Sequence, residues 1–427
     1  MAASRLRDRP RPDADRRLRR GRADRPGPAR RRDRTRLPPL RHRPGGGRSA
    51  GLSRDLPRPP RAARRTAPGH GVYGADPRTR RSFAVRGAVR RVRALVLCAG
   101  RGERLRPLTG AVPKPLLPVA GRAVARRTID LLHRAGCEIA VNLFHLGDTV
   151  RRGLESEAVG RGIELRFEVE PDLLGTLGAV VNLRDFLADA DDIVLVNGDS
   201  LCRWPVREAL DRHRRSGADV TLQVGWDNRV GGGVEVDPRG LVVGLRDLRV
   251  GPVRGRKRTF QGLHVLSRRI VEQIPPRPSS NDIVEGLYQP LLHSGARIAG
   301  FRSRRPWHDL GTPRRYLEGA LNWGRTAGGR KRRRRFVAPG VSVAPGAIVE
   351  HSVLEPGSHA GDGAVVERSL VMPGARIGSG ARIRETIVAP GVRVPDHAHV
   401  DGQLVTPVDW GPGAGSRERD GLVFTPL

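Results

Sequence analysis

The chain has 427 residues, enough for two or three domains, each with its own core. Its formal charge of +35 comes mostly from two places: residues 1–91, with 29 Arg and 7 Asp but no Lys or Glu, and the run Arg330–Arg335. The rest carries only +7, and aromatics are 4%, so the charge lacks the stacking residues of a single-strand nucleic-acid binder, and nucleic acid is not expected as a partner.

Three lysines stand against this excess of arginine: Lys114, Lys257 and Lys331. The bias toward Arg, Pro, Gly and Ala resembles a GC-rich coding sequence more than selection for phosphate binding. Cys98, Cys137 and Cys202 are scattered and odd in number, which excludes a disulfide framework, and no Cys/His cluster has zinc spacing. No apolar run approaches the ~20 residues of a membrane span, and no apolar leader opens the chain. A cytoplasmic protein without a membrane partner is expected.

Residues 1–91 have almost no apolar periodicity and are expected to be a disordered extension. A start near Val92 in the native protein is the corollary; an intact mass that includes residue 1 would exclude it. Residues 92–324 alternate short apolar runs with helical patterns, the pattern of an α/β domain with a mainly parallel sheet. Strands are predicted at Ala94–Ala99, Glu138–Phe144, Ile163–Glu170, Asp192–Asp199 and Ala218–Gly225. A helix is predicted over Ala123–Gly136, with Val124, Thr128, Leu131, Leu132 and Ala135 on one face and Gly136 at its end. Further helices are expected from Gly147, Thr176 and Val206. Beyond Gly225 the pattern reads as hairpins, including Thr259–Ser267, then a helix around Asp282–Leu292.

Residues 325–335 read as a basic linker, 336–407 as a repeat and 408–427 as a tail. In the repeat, PGVSV, PGSHA, PGARI and PGVRV end at residues 343, 360, 377 and 394. PGAIV, DGAVV, SGARI and DHAHV keep the same step, as do Val353, Leu370 and Ile387. Three apolar stations per coil describe a hexapeptide-type left-handed parallel β-helix of about four coils. His351, His359, His397 and His399 raise an acyltransferase role, but no insertion interrupts the step. An oligomerisation or regulatory module is the stronger reading, with a homo-oligomer as its consequence.

The chemistry concentrates in LVLCAGRGERLRPLTGAVPKPLLPVAG, Leu95–Gly121. A dinucleotide fingerprint needs a third glycine where Leu105 stands, and an immediate helix that Pro107, Pro113, Pro115 and Pro118 forbid. A Walker A loop is excluded because no Gly-Lys-Ser/Thr ends the run. What remains is a strand and a glycine turn, whose N–H groups can face an anion. Arg104 and Lys114 follow, a guanidinium fork and a point charge suited to a polyphosphate. Asp199 ends a buried-type strand and so stands where α/β ligands bind. Asp309 precedes a helix that Thr312 can cap, with Pro313 at its first position.

The patterns GxGxRLxPLT and PKPLxPVxG resemble the sugar-phosphate nucleotidylyltransferase family, mannose-1-phosphate guanylyltransferases included. The likeness continues at Glu170–Ala179, Val194–Leu201, Phe260–Leu266 and Trp307–Leu317. It implies a Rossmann-like mixed sheet followed by the β-helix, with an NTP and a sugar 1-phosphate as substrates and Mg²⁺ as cofactor. It further implies catalytic roles for Arg104, Lys114 and Asp199, and metal binding by Asp199 and Asp309. Gly100, Gly102, Gly175, Gly178 and Gly198 are expected around the nucleotide, Glu170 and Gly262 around the sugar. A regulatory subunit that binds an NDP-sugar without turnover is the alternative. Three departures stand out: Glu103 puts a carboxylate near phosphates, Leu177 is expected to narrow the base pocket, and Arg246, Arg249 or Arg254 must replace a family lysine.

Overall fold

A computed structural model describes residues 90–226, 233–326 and 334–427. The expectations for residues 1–89, and for most of the Arg330–Arg335 run, lie outside the described residues.

Seven strands form the main sheet: β1 Val92–Leu97, β2 Glu138–Leu143, β3 Leu165–Val169, β4 Asp192–Asn197, β5 Val220–Val224, β6 Phe260–Ser267 and β7 Ile298–Arg302. Their order is β3-β2-β1-β4-β6-β5-β7, parallel throughout except for β6, which runs antiparallel to both neighbours. β1 and β4 are apolar and buried because helices cover both faces of the sheet. The connecting helices are α1 Val124–Arg134, α2 Gly147–Val159, α3 Gly175–Asn182, α4 Arg184–Ala188 and α5 Val206–Ser216. On α1, Val124, Ala125, Ile129 and Leu132 are buried, and Gly136 beyond its end takes φ +85°.

One segment departs from expectation. Phe260–Ser267 is not part of a peripheral hairpin but the antiparallel strand between β4 and β5. Its apolar alternation is the same in either setting, so only its long-range partners distinguish them. Val234–Val236 and Val242–Leu245 do form the expected antiparallel pair.

The C-terminal repeat winds as expected into three parallel ladders. Phe336, Val353, Leu370, Ile387 and Leu404 stack in one register, each step spanning 17 residues. The other two ladders run through Val343–Ala360–Ile377–Val394 and Val349–Val366–Ile383–Val400. At one corner Ser352 Oγ accepts from Ser369 N (3.0 Å), and Ser369 Oγ from Thr386 N (3.1 Å), so the buried turn has its own hydrogen-bonded column. Residues 408–427 fold back: Leu422–Pro426 pairs antiparallel with Gln403–Pro407 and with Arg417–Arg419.

The repeat and the sheet domain share one hydrophobic core. Leu105, Leu108, Leu117 and Val119 from the segment after the glycine turn lie in the same cluster as coil residues Val353, Leu370 and Ile387. The helix α6, Pro313–Thr326, adds Tyr316 and Trp323 to it, and Tyr316 Oη donates to Pro118 O at 2.7 Å. At this joint Glu355 of the repeat accepts Gly121 N–H at 2.6 Å while fully buried. Burial raises its pKa to about 7, against the lowering by backbone N–H groups and Arg127. An acid with a raised folded-state pKa gives stability that is present below the unfolded value and is lost as pH rises through the folded one. Thermal midpoints should therefore fall between about pH 4.5 and 7 for this group. Glu355→Gln should flatten that part of the profile; an unchanged slope would contradict the assignment.

Candidate functional site

The glycine-turn loop leaves β1 where the sheet order reverses: β2 and β3 lie to one side of β1, β4 to the other. At such a switch point the two outgoing loops diverge and leave a crevice at the carboxyl ends of the strands. A cavity of about 610 Å³ opens there, lined by Gly100, Gly102, Arg104, Lys114, Glu170, Gly175 and Asp199, among others.

Gly102 takes φ +65°, and Thr109 Oγ1 donates to its carbonyl at 2.8 Å, which fixes the turn. A Cβ at Gly100 would meet nothing within 4 Å, so this position is open toward the cavity. Gly198 is glycine for a different reason. It hydrogen-bonds Leu97 O at 3.0 Å, and a Cβ there would lie 2.5 Å from Cys98 Sγ. The close approach of the β1 and β4 ends is what sets Asp199 opposite the glycine turn. Cys98 itself is buried, its thiol pKa pushed far up by desolvation, so it is no nucleophile.

Lys114 and Asp199, 85 residues apart, meet at Nζ–Oδ2 2.6 Å. The lysine is almost wholly buried, whereas the carboxylate is 39% exposed toward the cavity. Asp309 arrives through a two-stranded ribbon, in which Trp307–Asp309 pairs antiparallel with Ser200–Cys202 and Asp309 faces Ser200. The register thus brings the backbone of Asp309 opposite Ser200, the residue after Asp199. Beyond it, Thr312 caps α6 through Arg315 N–H (3.3 Å), and Arg315 Nη1 holds Asp309 Oδ2 at 2.6 Å. Arg104 reaches the same place: a Cβ on Gly311 would lie 2.9 Å from both Arg104 Nη2 and Asp309 Oδ1.

With Oδ2 of each aspartate paired to a cation, the remaining oxygens are Asp199 Oδ1, which accepts from Ser200 Oγ at 3.3 Å, and Asp309 Oδ1. No cluster of three or more His, Cys, Asp or Glu that could hold a metal exists among the described residues. Two hard carboxylates without a third ligand fit a small divalent cation that completes its sphere with phosphate and water. They do not fit a zinc cage.

The other expected residues divide: Glu170 and Gly175 line the cavity, whereas Gly178, Gly198 and Gly262 do not. Glu170 is buried, with Asn142 Nδ2 on Oε1 (2.8 Å) and Leu174 N on Oε2 (3.1 Å), so one oxygen ties it to β2 and the other anchors the following loop. Asn142 in turn accepts Cys98 N–H at 2.8 Å, tying that loop to the glycine turn. Sequence reasoning missed Asn142; its one signal is a polar residue inside the apolar run EIAVNL. Gly175, at φ +71°, and Gly178 pack closely against Asn281 and Leu174. Gly262, at φ +82°, packs against the Asn197 side chain.

The departures resolve as follows. Leu177 is fully buried in the core beneath α3 and does not line the cavity, so it does not narrow a base pocket. Glu103 borders the cavity but is exposed and lies 3.9 Å from Arg101. Arg246 is taken by Asp282 and Glu285 (2.7 Å each), and Arg249 lies 3.6 Å from Glu235. Neither they nor Arg254 line the cavity. No described helix is long and apolar enough to cross a membrane.

Comparison with known proteins agrees with this geometry. Residues 93–325 match the nucleotidyl transferase family, and residues 327–404 match the GlmU-like C-terminal hexapeptide family. A mannose-1-phosphate guanylyltransferase of Mycobacterium tuberculosis is 30% identical over 61% of this chain and 74% of its own length. Mannose-1-phosphate guanyltransferases of Pichia angusta and Saccharomyces cerevisiae are 29% and 26% identical. These matches cover 53% and 61% of this chain, and 63% and 72% of the yeast proteins. A sheet switch point holding Arg104 and the Lys114–Asp199 pair, followed by a 17-residue β-helix repeat, accords with both matches: the chain belongs to the nucleotidyl transferase family.

Proposed function

We propose that the chain transfers a nucleoside monophosphate from an NTP to a sugar 1-phosphate, releasing pyrophosphate and an NDP-sugar. GTP and mannose 1-phosphate are the first pair, by likeness to the relatives named above. The observation that carries the reading is the Lys114–Asp199 pair at the sheet's switch point, with Asp309 in register with the neighbouring Ser200.

A phosphate oxygen of the sugar 1-phosphate attacks the α-phosphorus in line. The bond from that phosphorus to the bridging oxygen breaks, and the electron pair leaves with pyrophosphate. The nucleophile is already an anion, so positioning and charge neutralisation supply the catalysis and no general base is needed. Arg104 and Lys114 neutralise the triphosphate chain, and the glycine turn offers N–H groups to it. Asp199 and Asp309 would hold Mg²⁺, which when bound draws charge from the oxygens around the α-phosphorus. The β-helix would serve homo-oligomer assembly.

A pyrophosphate-release assay over a panel of nucleotides and sugar 1-phosphates tests this. Turnover is expected with Mg²⁺ and should disappear with chelator. Binding of an NDP-sugar without turnover of any pair would favour a regulatory subunit instead.

A further inference from the structure

A second cavity, of about 760 Å³, opens away from the catalytic one and shares no lining residue with it. It lies between α1, the segment Cys202–Glu208, Arg305 and Trp323 of α6. Its size is that of a small-molecule site. Six arginines face it against two carboxylates, and those carboxylates are already engaged. Asp130 is held by Arg122 at 2.8 Å and by Arg126 and Arg161 from outside the cavity; Glu208 is held by Arg305 at 2.7 Å.

Four cations remain: Arg127, Arg134, Arg203 and Arg207. Among the described residues none of them has a carboxylate within ion-pair distance. Backbone carbonyls hold them in place instead. Arg127 donates to Val119 O and Ala120 O, Arg134 to Asp130 O (3.0 Å), Arg203 to Thr326 O (3.3 Å), and Arg207 to Arg134 O. Arg127 and Arg203 also lie over the Trp323 ring, 5.3 and 5.1 Å from its centroid. Burial first, then the like charges of Arg122 and Arg203, lowers the Arg127 pKa to about 10 against the opposing pull of the Glu355 and Asp130 carboxylates, so it stays a cation at neutral pH.

A merely solvated arginine face would leave these side chains apart in water. Here they converge on one concavity, their planes set by carbonyls and an indole, with unused N–H donors and an uncompensated positive potential. Fixed guanidinium forks match phosphate oxygens in pairs, and their ordering cost is already met.

We propose that this cavity is an effector site for a small phosphorylated anion carrying at least two phosphate groups. Its connection to catalysis is short. Arg127 grips the carbonyls of Val119 and Ala120, at the end of the loop that carries Lys114, and Gly121 next to them is the group bound by Glu355.

The test is calorimetric titration of the full chain with inorganic pyrophosphate, in wild type, Lys114→Gln and the double variant Arg203→Ala/Arg207→Ala. Tryptophan fluorescence of Trp204 and Trp323 is recorded alongside. Lys114→Gln weakens pyrophosphate binding at the catalytic site, where Arg104 and the glycine turn remain, so the part of the binding that the arginine substitutions remove in that background, with a change in tryptophan emission, reports this cavity. The same double substitution made in the Lys114→Gln background should weaken that binding at least tenfold. Arg203→Gln and Arg207→Gln singly, each expected to weaken it severalfold, decide the matter if the double variant melts early. Absence of binding in Lys114→Gln, or binding that the arginine substitutions leave unchanged, overturns the proposal. Failure of the transfer reaction itself would leave these titrations unaffected, so the two readings fail separately.

Discussion

Asp199→Asn is expected to lower kcat by about 10²–10³-fold while the protein stays folded. The carboxylate is the exposed member of the pair with Lys114, and the next residue, Ser200, is in register with Asp309. Asparagine keeps an oxygen that can accept from the buried ammonium, so Lys114 is not left without a partner, and the melting temperature should change little. What asparagine lacks is the charge that holds a hard cation between phosphates. Raising the Mg²⁺ concentration should restore part of the rate, because the remaining ligand, Asp309, is untouched. Steady-state kinetics with a Mg²⁺ titration checks both points; wild-type rates in the variant would remove Asp199 from the metal.

Lys114→Gln is expected to lower kcat/KM for the nucleotide by about 10²-fold. The ammonium sits in a nearly dry pocket, where its charge acts on a polyphosphate with little screening. Its structural loss is moderate, since Asp199 is partly exposed and can be solvated once its partner is gone. The double variant with Asp199→Asn should cost less than the product of the two single effects, because both residues act on one phosphate assembly. Strict multiplicativity would mean that they serve separate steps.

Much of this was legible in the sequence because it is local. The glycine turn, the apolar strands predicted at Ala94–Ala99 and Asp192–Asp199, which in the structure end two residues earlier, and the 17-residue step of the repeat all read from spacing alone. Thr312 as a cap with Pro313 behind it is also local chemistry, and the helix begins there.

What stayed hidden depends on partners far away in the chain. Phe260–Ser267 carries the same alternation whether it edges a hairpin or fills a sheet, and only β4 and β5 decide. Leu177 looked like a pocket residue because its neighbours in sequence are; the turn of α3 points it into the core instead. Glu170 lies at the cavity wall, but Asn142 and Leu174 take its oxygens, a role that requires knowing β2. The docking of the β-helix on the glycine-turn loop is likewise invisible to periodicity, since Leu105 and Leu108 are simply apolar until they join Val353 and Leu370 in one buried cluster.

The central claim is that Arg104, Lys114, Asp199 and Asp309 form one nucleotidyl transfer site. Its most direct test is a ³¹P NMR time course of the full chain with GTP, mannose 1-phosphate and Mg²⁺, in wild type and Asp199→Asn. The account predicts NDP-sugar and pyrophosphate resonances growing together in the wild type, and strongly slowed in the variant. No product in the wild type with this or any other nucleotide and sugar 1-phosphate, or equal rates in the two proteins, would contradict it.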